Sequence, residues 1–235
     1  MRLGPLDFAP RLVPTLAAAA MVALTFSLGR WQVHRAEEKA GRQDLLEKRA
    51  GEHPVELKGA GPSPEALLFR RVRASGHYLA AGQIFIDNRI HAGRAGFHVV
   101  TPLAIAGSDA VVLVNRGWVG RTADYPRPPP VPVPAGEQSV EGLATVPPAR
   151  VLELSADTVS GSVWQNLSLA RYAAWSGKPT LPVVLLAAPA PGLAAVVEKP
   201  DAGIAKHREY ALTWFSLAAT VVALWVGLNL RRTGR

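Results

Sequence analysis

The chain has no cysteine in its 235 residues and only two methionines, Met1 and Met21. Disulfides, thiolate metal sites and cysteine nucleophiles are therefore excluded, and no soft ligand set exists for carrying Cu(I). The usual catalytic signatures are missing too: there is no G-x-S-x-G elbow, H-E-x-x-H pair, phosphate loop or dinucleotide fingerprint. None of His34, His53, His77, His91 and His98 pairs with another at a spacing of three or four residues. Asp87 and His91 share a strand face, but with Arg89 between them this describes a polar, solvated face better than a metal site. The net charge of +8 does not indicate nucleic acid, because half of it lies in two short tails, where Arg2, Arg11, Arg231, Arg232 and Arg235 oppose Asp7. No arginine-rich aromatic stripe accompanies it.

Charge is also absent from two long stretches. Residues 12–29 carry none, and these roughly 18 residues fall in the lower part of the range that spans a bilayer as a helix. Ala17 to Ala20 could serve a signal peptidase, yet cleavage there would leave half the apolar run attached, so an uncleaved span fits better. Residues 210–230 form a second run of about 21 uncharged residues, closed by Arg231 and Arg232, with Trp214 and Trp225 placed as interfacial anchors.

Two spans put both termini on one side. The tail arginines favour the cytoplasm by the positive-inside bias, which sends the middle of the chain outward. The expected organisation is a cytoplasmic tail at 1–11, a transmembrane helix at 12–29, a periplasmic strand-rich domain at 30–206, a transmembrane helix at 207–230 and a tail at 231–235. The eleven residues before the first span leave no room for a mitochondrial transit peptide, so a bacterial inner membrane is the expected location.

The outward region opens with RWQVHRAEEKAGRQDLLEKRAGEHP, which continues the first helix until Gly51 caps it and Pro54 forbids resumption. Strand texture follows. RVRASGHYL alternates, with Val72, Ala74, Gly76 and Tyr78 on one face. QIFIDNRIH and GFHVVTPLAI flank AGRA, which predicts a hairpin with a loop of about four residues. AVVLVNRGWV reads as a strand buried on both faces, with NRGW as a tight turn ending it and Gly117 permitting the backbone path. YPRPPPVPVPAG is an extended polyproline connection. EQSVEGLATV, GSVWQN and LPVVLLAA supply further strands, and SLARYAAWS a short helix with Ser168 as N-cap. The expected class is an α+β membrane protein: two transmembrane helices flanking a strand-rich, mainly antiparallel barrel-like or sandwich domain.

One cluster of chemistry stands out. In HREYALTWFSLA, residues 207–218, His207, Tyr210 and Trp214 occupy one helix face about one turn from the apolar boundary. Trp31 lies at the same boundary on the first helix. A flat apolar macrocycle with two carboxylates suits such a collar, with His207 as the metal ligand and Arg208, Lys206 or Arg30 beside the propionates. The competing reading is an interfacial anchor. On the NRGW segment, Arg116 and Trp118 are residue types that form docking hot spots.

Five segments in order, LGRWQVHR, IDNR, GFHVVTPL, VVLVNRGWV and REYALTWFSLA, resemble the surfeit locus protein family of cytochrome c oxidase assembly factors, known in yeast as the Shy proteins. The resemblance covers residues 28–230. It implies a non-enzymatic factor that binds haem a and assists its insertion into oxidase subunit I, with His207 matching the family's proposed ligand. Arg35 and Lys39 match the family's R-x-x-W-K pattern, with Glu38 where tryptophan is usual. Arg35 is accordingly a candidate partner contact, and His34 an added candidate axial ligand outside the family pattern. Implied partners are subunit I, other oxidase assembly factors and membrane lipid, and no nucleic acid. Two other functions compete: a cofactor-free scaffold stabilising nascent subunit I through the sheet and NRGW, and an anchored periplasmic hydrolase, for which Asp87 and His91 would have to be catalytic.

Overall fold

The structure, a computed structural model, describes residues 2–3, 6–59, 61–147, 159–197 and 203–232. In chain order the elements are β1 (Arg2–Leu3), β2 (Leu6–Phe8), α1 (Leu12–Ala50), β3 (Val55–Glu56), α2 (Pro64–Leu67), β4 (Arg71–Tyr78), β5 (Ile84–His91), β6 (Arg94–Ile105), β7 (Val111–Gly120), β8 (Glu137–Thr145), β9 (Val159–Ser160), β10 (Val163–Trp164), α3 (Leu169–Ser176), β11 (Thr180–Ala187), α4 (Ile204–Asn229) and β12 (Leu230–Arg232). They fall into two units, Met1–Asp44 with Lys199–Arg235, and Leu45–Glu198.

The first unit is built on two helices, each long and apolar enough to cross a membrane. Their packing stripe is made of small residues. Thr25, Gly29 and Ala36 of α1 and Ala211 and Ala218 of α4 are buried, and the Phe215 ring packs directly over Gly29. Small side chains allow close backbone approach where the surroundings are as apolar as the helices themselves. Thr25 satisfies its hydroxyl on its own helix, donating to the Met21 carbonyl at 2.8 Å. As expected, α1 continues well beyond the uncharged run and stops at Ala50, where the Glu52 N–H turns back to the Arg49 carbonyl at 3.2 Å.

The sequence did not foresee that the chain ends form a sheet. Strand β2 pairs with β1 and with β12, matching Phe8 to Leu230 and Asp7 to Arg231. Phe8 meets Trp225 edge-on at 5.5 Å, and Trp225 Nε1 donates to Thr15 Oγ1 at 3.0 Å. Arg235 of the basic tail lies outside the described residues.

The second unit is a closed barrel of five strands in the order β4, β8, β11, β7, β6, with β6 returning to β4. Only the β11–β7 pair is parallel within it. The alternation expected for β4 holds: Val72, Ala74 and Gly76 are buried while Arg71 and Arg73 face solvent. Gly76 lies on the closing seam, where a Cβ would overlap the Ala104 carbonyl oxygen. Inside, Val72, Leu103, Val112, Val114, Val183 and Leu185 form the core. Outside the parallel pair, Trp164 and Tyr172 cover Ile84, Val100, Leu113 and Val184. Helix α3 begins where Ser168 Oγ accepts the Arg171 N–H at 3.3 Å, as the N-cap pattern indicates.

Two local expectations are corrected. The β5–β6 hairpin has a two-residue loop, Ala92–Gly93, because both residues adopt positive φ (47° and 76°), the geometry that matches strand twist in the tightest hairpins. NRGW is not a turn ending β7; it lies inside the strand, whose residues are buried from Val111 to Trp118. Pairing passes from Asn115↔Val100 to Gly117↔Val99, leaving Arg116 as the extra residue of a β-bulge. Gly117 makes this possible with φ 133°.

Candidate functional site

The collar at the outer end of the apolar helices has one strong polar contact. His207 Nδ1 lies 2.6 Å from Gln32 Oε1. An amide oxygen can only accept, so in the neutral ring Nδ1 carries the proton and Nε2 keeps its lone pair. A metal-ligating histidine is held in the same way by a second-shell acceptor. Among the described residues no three His, Cys, Asp or Glu side chains gather to hold a bare metal ion. A macrocycle that supplies four donors of its own asks the chain for far less, one imidazole with an available lone pair, and His207 fits that requirement.

Gln32 was not singled out from the sequence, although its position carried a signal. Thr25, Gly29, Gln32 and Ala36 fall at successive spacings of four, three and four, which is the packing stripe of α1. On α4 the packed stripe runs through His207, Ala211 and Ala218. The His207, Tyr210, Trp214 face is offset from it: His207 and Trp214 are half-buried, whereas Tyr210 is 56% exposed. Trp31 is 50% exposed, and Arg30, Lys206 and Arg208 are exposed as well. Arg35 stacks over Trp31 at 5.9 Å and pairs with Glu38 at 2.8 Å. His34 pairs with the same carboxylate at 3.1 Å, and Arg35 is the main reason the Glu38 carboxyl is held below its ordinary range.

The other sequence-derived candidates lie in the barrel unit and turn inward. Arg116 is 4% exposed. Its Nη1 donates to Gln83 Oε1 at 3.2 Å, its Nη2 to the Pro132 carbonyl at 2.9 Å, and its guanidinium stacks over Tyr78 at 5.3 Å. Burial lowers its pKa, offset by Tyr78. Trp118 is 7% exposed, donates Nε1–H to the Arg89 carbonyl at 2.7 Å and stacks on His91 at 5.0 Å. NRGW and IDNR, far apart in sequence, are thus joined by Trp118. Asp87 is occupied by Arg121, at 2.8 Å, and by the Tyr125 hydroxyl, at 3.0 Å.

Two apolar helices bracketing a closed, mixed five-stranded barrel define a two-span membrane protein with a β-barrel domain. The chain belongs to the SURF1 family, whose sequence pattern matches residues 19–219. That family consists of oxidase assembly factors. The chain is 30% identical to a SURF1-like protein of Drosophila melanogaster, across 98% of this chain and 80% of the relative. It is 26% identical to surfeit locus protein 1 of Mus musculus, across 90% and 74%, and 25% identical to a SURF1-like protein of Monosiga brevicollis, across 93% and 87%.

Proposed function

We propose that this chain binds haem a at the collar of its helix pair and assists its insertion into subunit I of cytochrome c oxidase. The observation that carries the reading is the 2.6 Å contact of His207 Nδ1 with Gln32 Oε1, which orients an imidazole on the packed stripe of two apolar helices and leaves Nε2 for iron. Haem supplies the redox iron that the client oxidase needs. In this reading His207 would hold the haem iron through Nε2, with Gln32 as its positioning residue. Trp31, Tyr210 and Trp214 offer apolar ring surface to a macrocycle, and the exposed cations Arg30, Lys206 and Arg208 stand ready for its propionates. The basic tails keep both chain ends in the cytoplasm, which puts the collar and barrel on the outer, periplasmic face of a bacterial inner membrane. Subunit I is the client there, alongside other assembly factors.

The test is the absorption spectrum of the full-length protein purified from cells that make haem a. A Soret band is expected, lost in His207→Ala and weakened in Gln32→Leu, since second-shell partners typically change metal affinity by about 10- to 100-fold. A band unchanged in His207→Ala would remove this residue from the role. Should His207→Ala leave oxidase assembly intact while Arg35→Ala, at the exposed partner-contact candidate, no longer co-purifies with the oxidase, the cofactor-free scaffold would be the better account.

A further inference from the structure

Strand β5 carries a second feature, on the barrel unit and independent of the haem reading. Its pairing with β6 shifts between Ile86 and Arg89, and Asn88 sits at the shift with φ 57°. Asparagine is among the few side-chain-bearing residues that tolerate this region, and bulges of this kind re-aim their neighbours. The re-aimed segment lines a cleft of about 400 Å³ with Asp87, Asn88 and Arg89 on one side, Arg121 and Tyr125 on another, and the amides Gln165 and Asn166 completing it.

The charges of this cleft do not balance. Asp87 is already committed to Arg121 and the Tyr125 hydroxyl, and Arg121 stacks on the Tyr125 ring at 3.9 Å. Arg89 is half-buried, and among the described residues it forms no ion pair. Its Nη2 donates only to neutral oxygens, the Gln165 carbonyl and Asn166 Oδ1, each at 3.1 Å, and its buried Nε–H has no acceptor. Asp87 acts on Arg89 through space but is hydrogen-bonded to Arg121 and Tyr125, so this half-buried guanidinium with an unused donor has to share its counter-ion, which is costly unless a further anion completes it.

We propose that this cleft receives the carboxylate of an acidic side chain on an extended segment of a protein partner, with Arg89 as the anion-binding residue. The charge balance selects the ligand. Two guanidiniums face one carboxylate, which leaves room for a single negative charge, and a planar carboxylate matches the guanidinium fork. A phosphate dianion would bring a second charge close to Asp87 with no further cation to meet it. The exposed Asn88 amide and the amide N–H of Asn166, whose oxygen already accepts from Arg89, are suited to the peptide groups on either side of an acidic residue. The Arg89 carbonyl accepts the Trp118 Nε1–H, so the cleft-lining segment of β5 is tied to β7 of the barrel.

The experiment follows the arginine Nε–H resonances of the full-length protein in detergent micelles by 1H–15N NMR, with Arg89 assigned from Arg89→Lys. N-acetyl-glutamate methylamide is expected to shift the Arg89 resonance saturably, at least tenfold more tightly than acetate, while N-acetyl-glutamine methylamide leaves it in place. Arg89→Gln should abolish binding in protein whose remaining spectrum is unchanged. Equal response to the glutamate and glutamine probes would overturn the proposal. Tighter binding of acetate or inorganic phosphate than of the glutamate probe would also overturn it, by making this a small-anion site. Because the wild-type comparison of the two probes decides the matter, a misfolded variant would not rescue the idea.

Discussion

Arg116 Nη2 donates to the Pro132 carbonyl at 2.9 Å, so a guanidinium projected by a β-bulge pins the proline-rich connection to the barrel wall. Gln83 holds the same segment one residue earlier, donating to the Val131 carbonyl at 3.1 Å, and Val131 packs against Phe85, Phe97 and Val99. Replacing Arg116 with methionine keeps most of the volume and removes the donors. The expected loss is about 2 kcal/mol, the usual scale for hydrogen bonds from a charged group, measured as a lowered denaturation midpoint of the purified protein. An unchanged midpoint would mean the strap is held by Val131 and Gln83 alone.

Barrel closure depends on Gly76. Its Cβ position is occupied by backbone, the Ala104 carbonyl, which cannot swing aside as a long side chain can. Gly76→Ala should therefore separate β4 from β6 and cost more than about 3 kcal/mol, towards the upper end of overpacking effects. Hydrogen exchange at the Gly76, His77 and Tyr78 pairings, where the two strands meet, reports the change directly.

The barrel should lose stability on mild acidification. His98 is half-buried, and burial first, then Arg89 and His91, depress its pKa from 6.5 to about 4. Above pH 6.5 the ring is neutral in both folded and unfolded chains and the stability is fully present. Between 6.5 and about 4 the unfolded chain takes up a proton that the folded chain refuses, so stability falls as pH falls, by at most about 3 kcal/mol. Denaturant titrations at successive pH values should show this slope, and His98→Gln should flatten it. The Glu141 carboxyl, held low mainly by its hydrogen bond to Arg73, acts in the same direction at more acidic pH, from the ordinary range of a free carboxylate downward.

The tautomer of His207 offers a test free of any cofactor. In mildly alkaline solution its Nδ1 should be the protonated nitrogen, visible in long-range 1H–15N correlation spectra, because Gln32 Oε1 accepts from it. Gln32→Leu should return the ring to the Nε2-protonated form that free histidine prefers. An Nδ1–H that persists in Gln32→Leu would show that the amide does not orient the ring.

Much of this protein is legible from residues near each other in sequence. The two uncharged runs, the alternation of β4, the doubly buried β7 and the Ser168 cap follow from periodicities and local hydrogen bonds that act within one element. The surfeit locus resemblance, drawn from five short segments, likewise indicated the family. The misread places are those where a long-range contact overrides a local signal. Gly117 signals a turn, yet Val99 and Val100 of β6 hold the chain in the ladder and convert that signal into a bulge. Arg116 and Trp118 have the composition of a binding surface, and folding places them at 4% and 7% exposure, which composition does not foretell.

Sequence alone determined which segments are apolar enough for lipid and which alternate as strands, because hydrophobic periodicity is a property of the chain itself. Only the tertiary structure decided that Gln32 meets His207, 175 positions away, and that Arg89 and Arg121 share one carboxylate, Asp87, in a single cleft. The reason is physical: a hydrogen bond or a charge balance depends on which groups folding brings within about 3 Å, and no spacing along the chain encodes that.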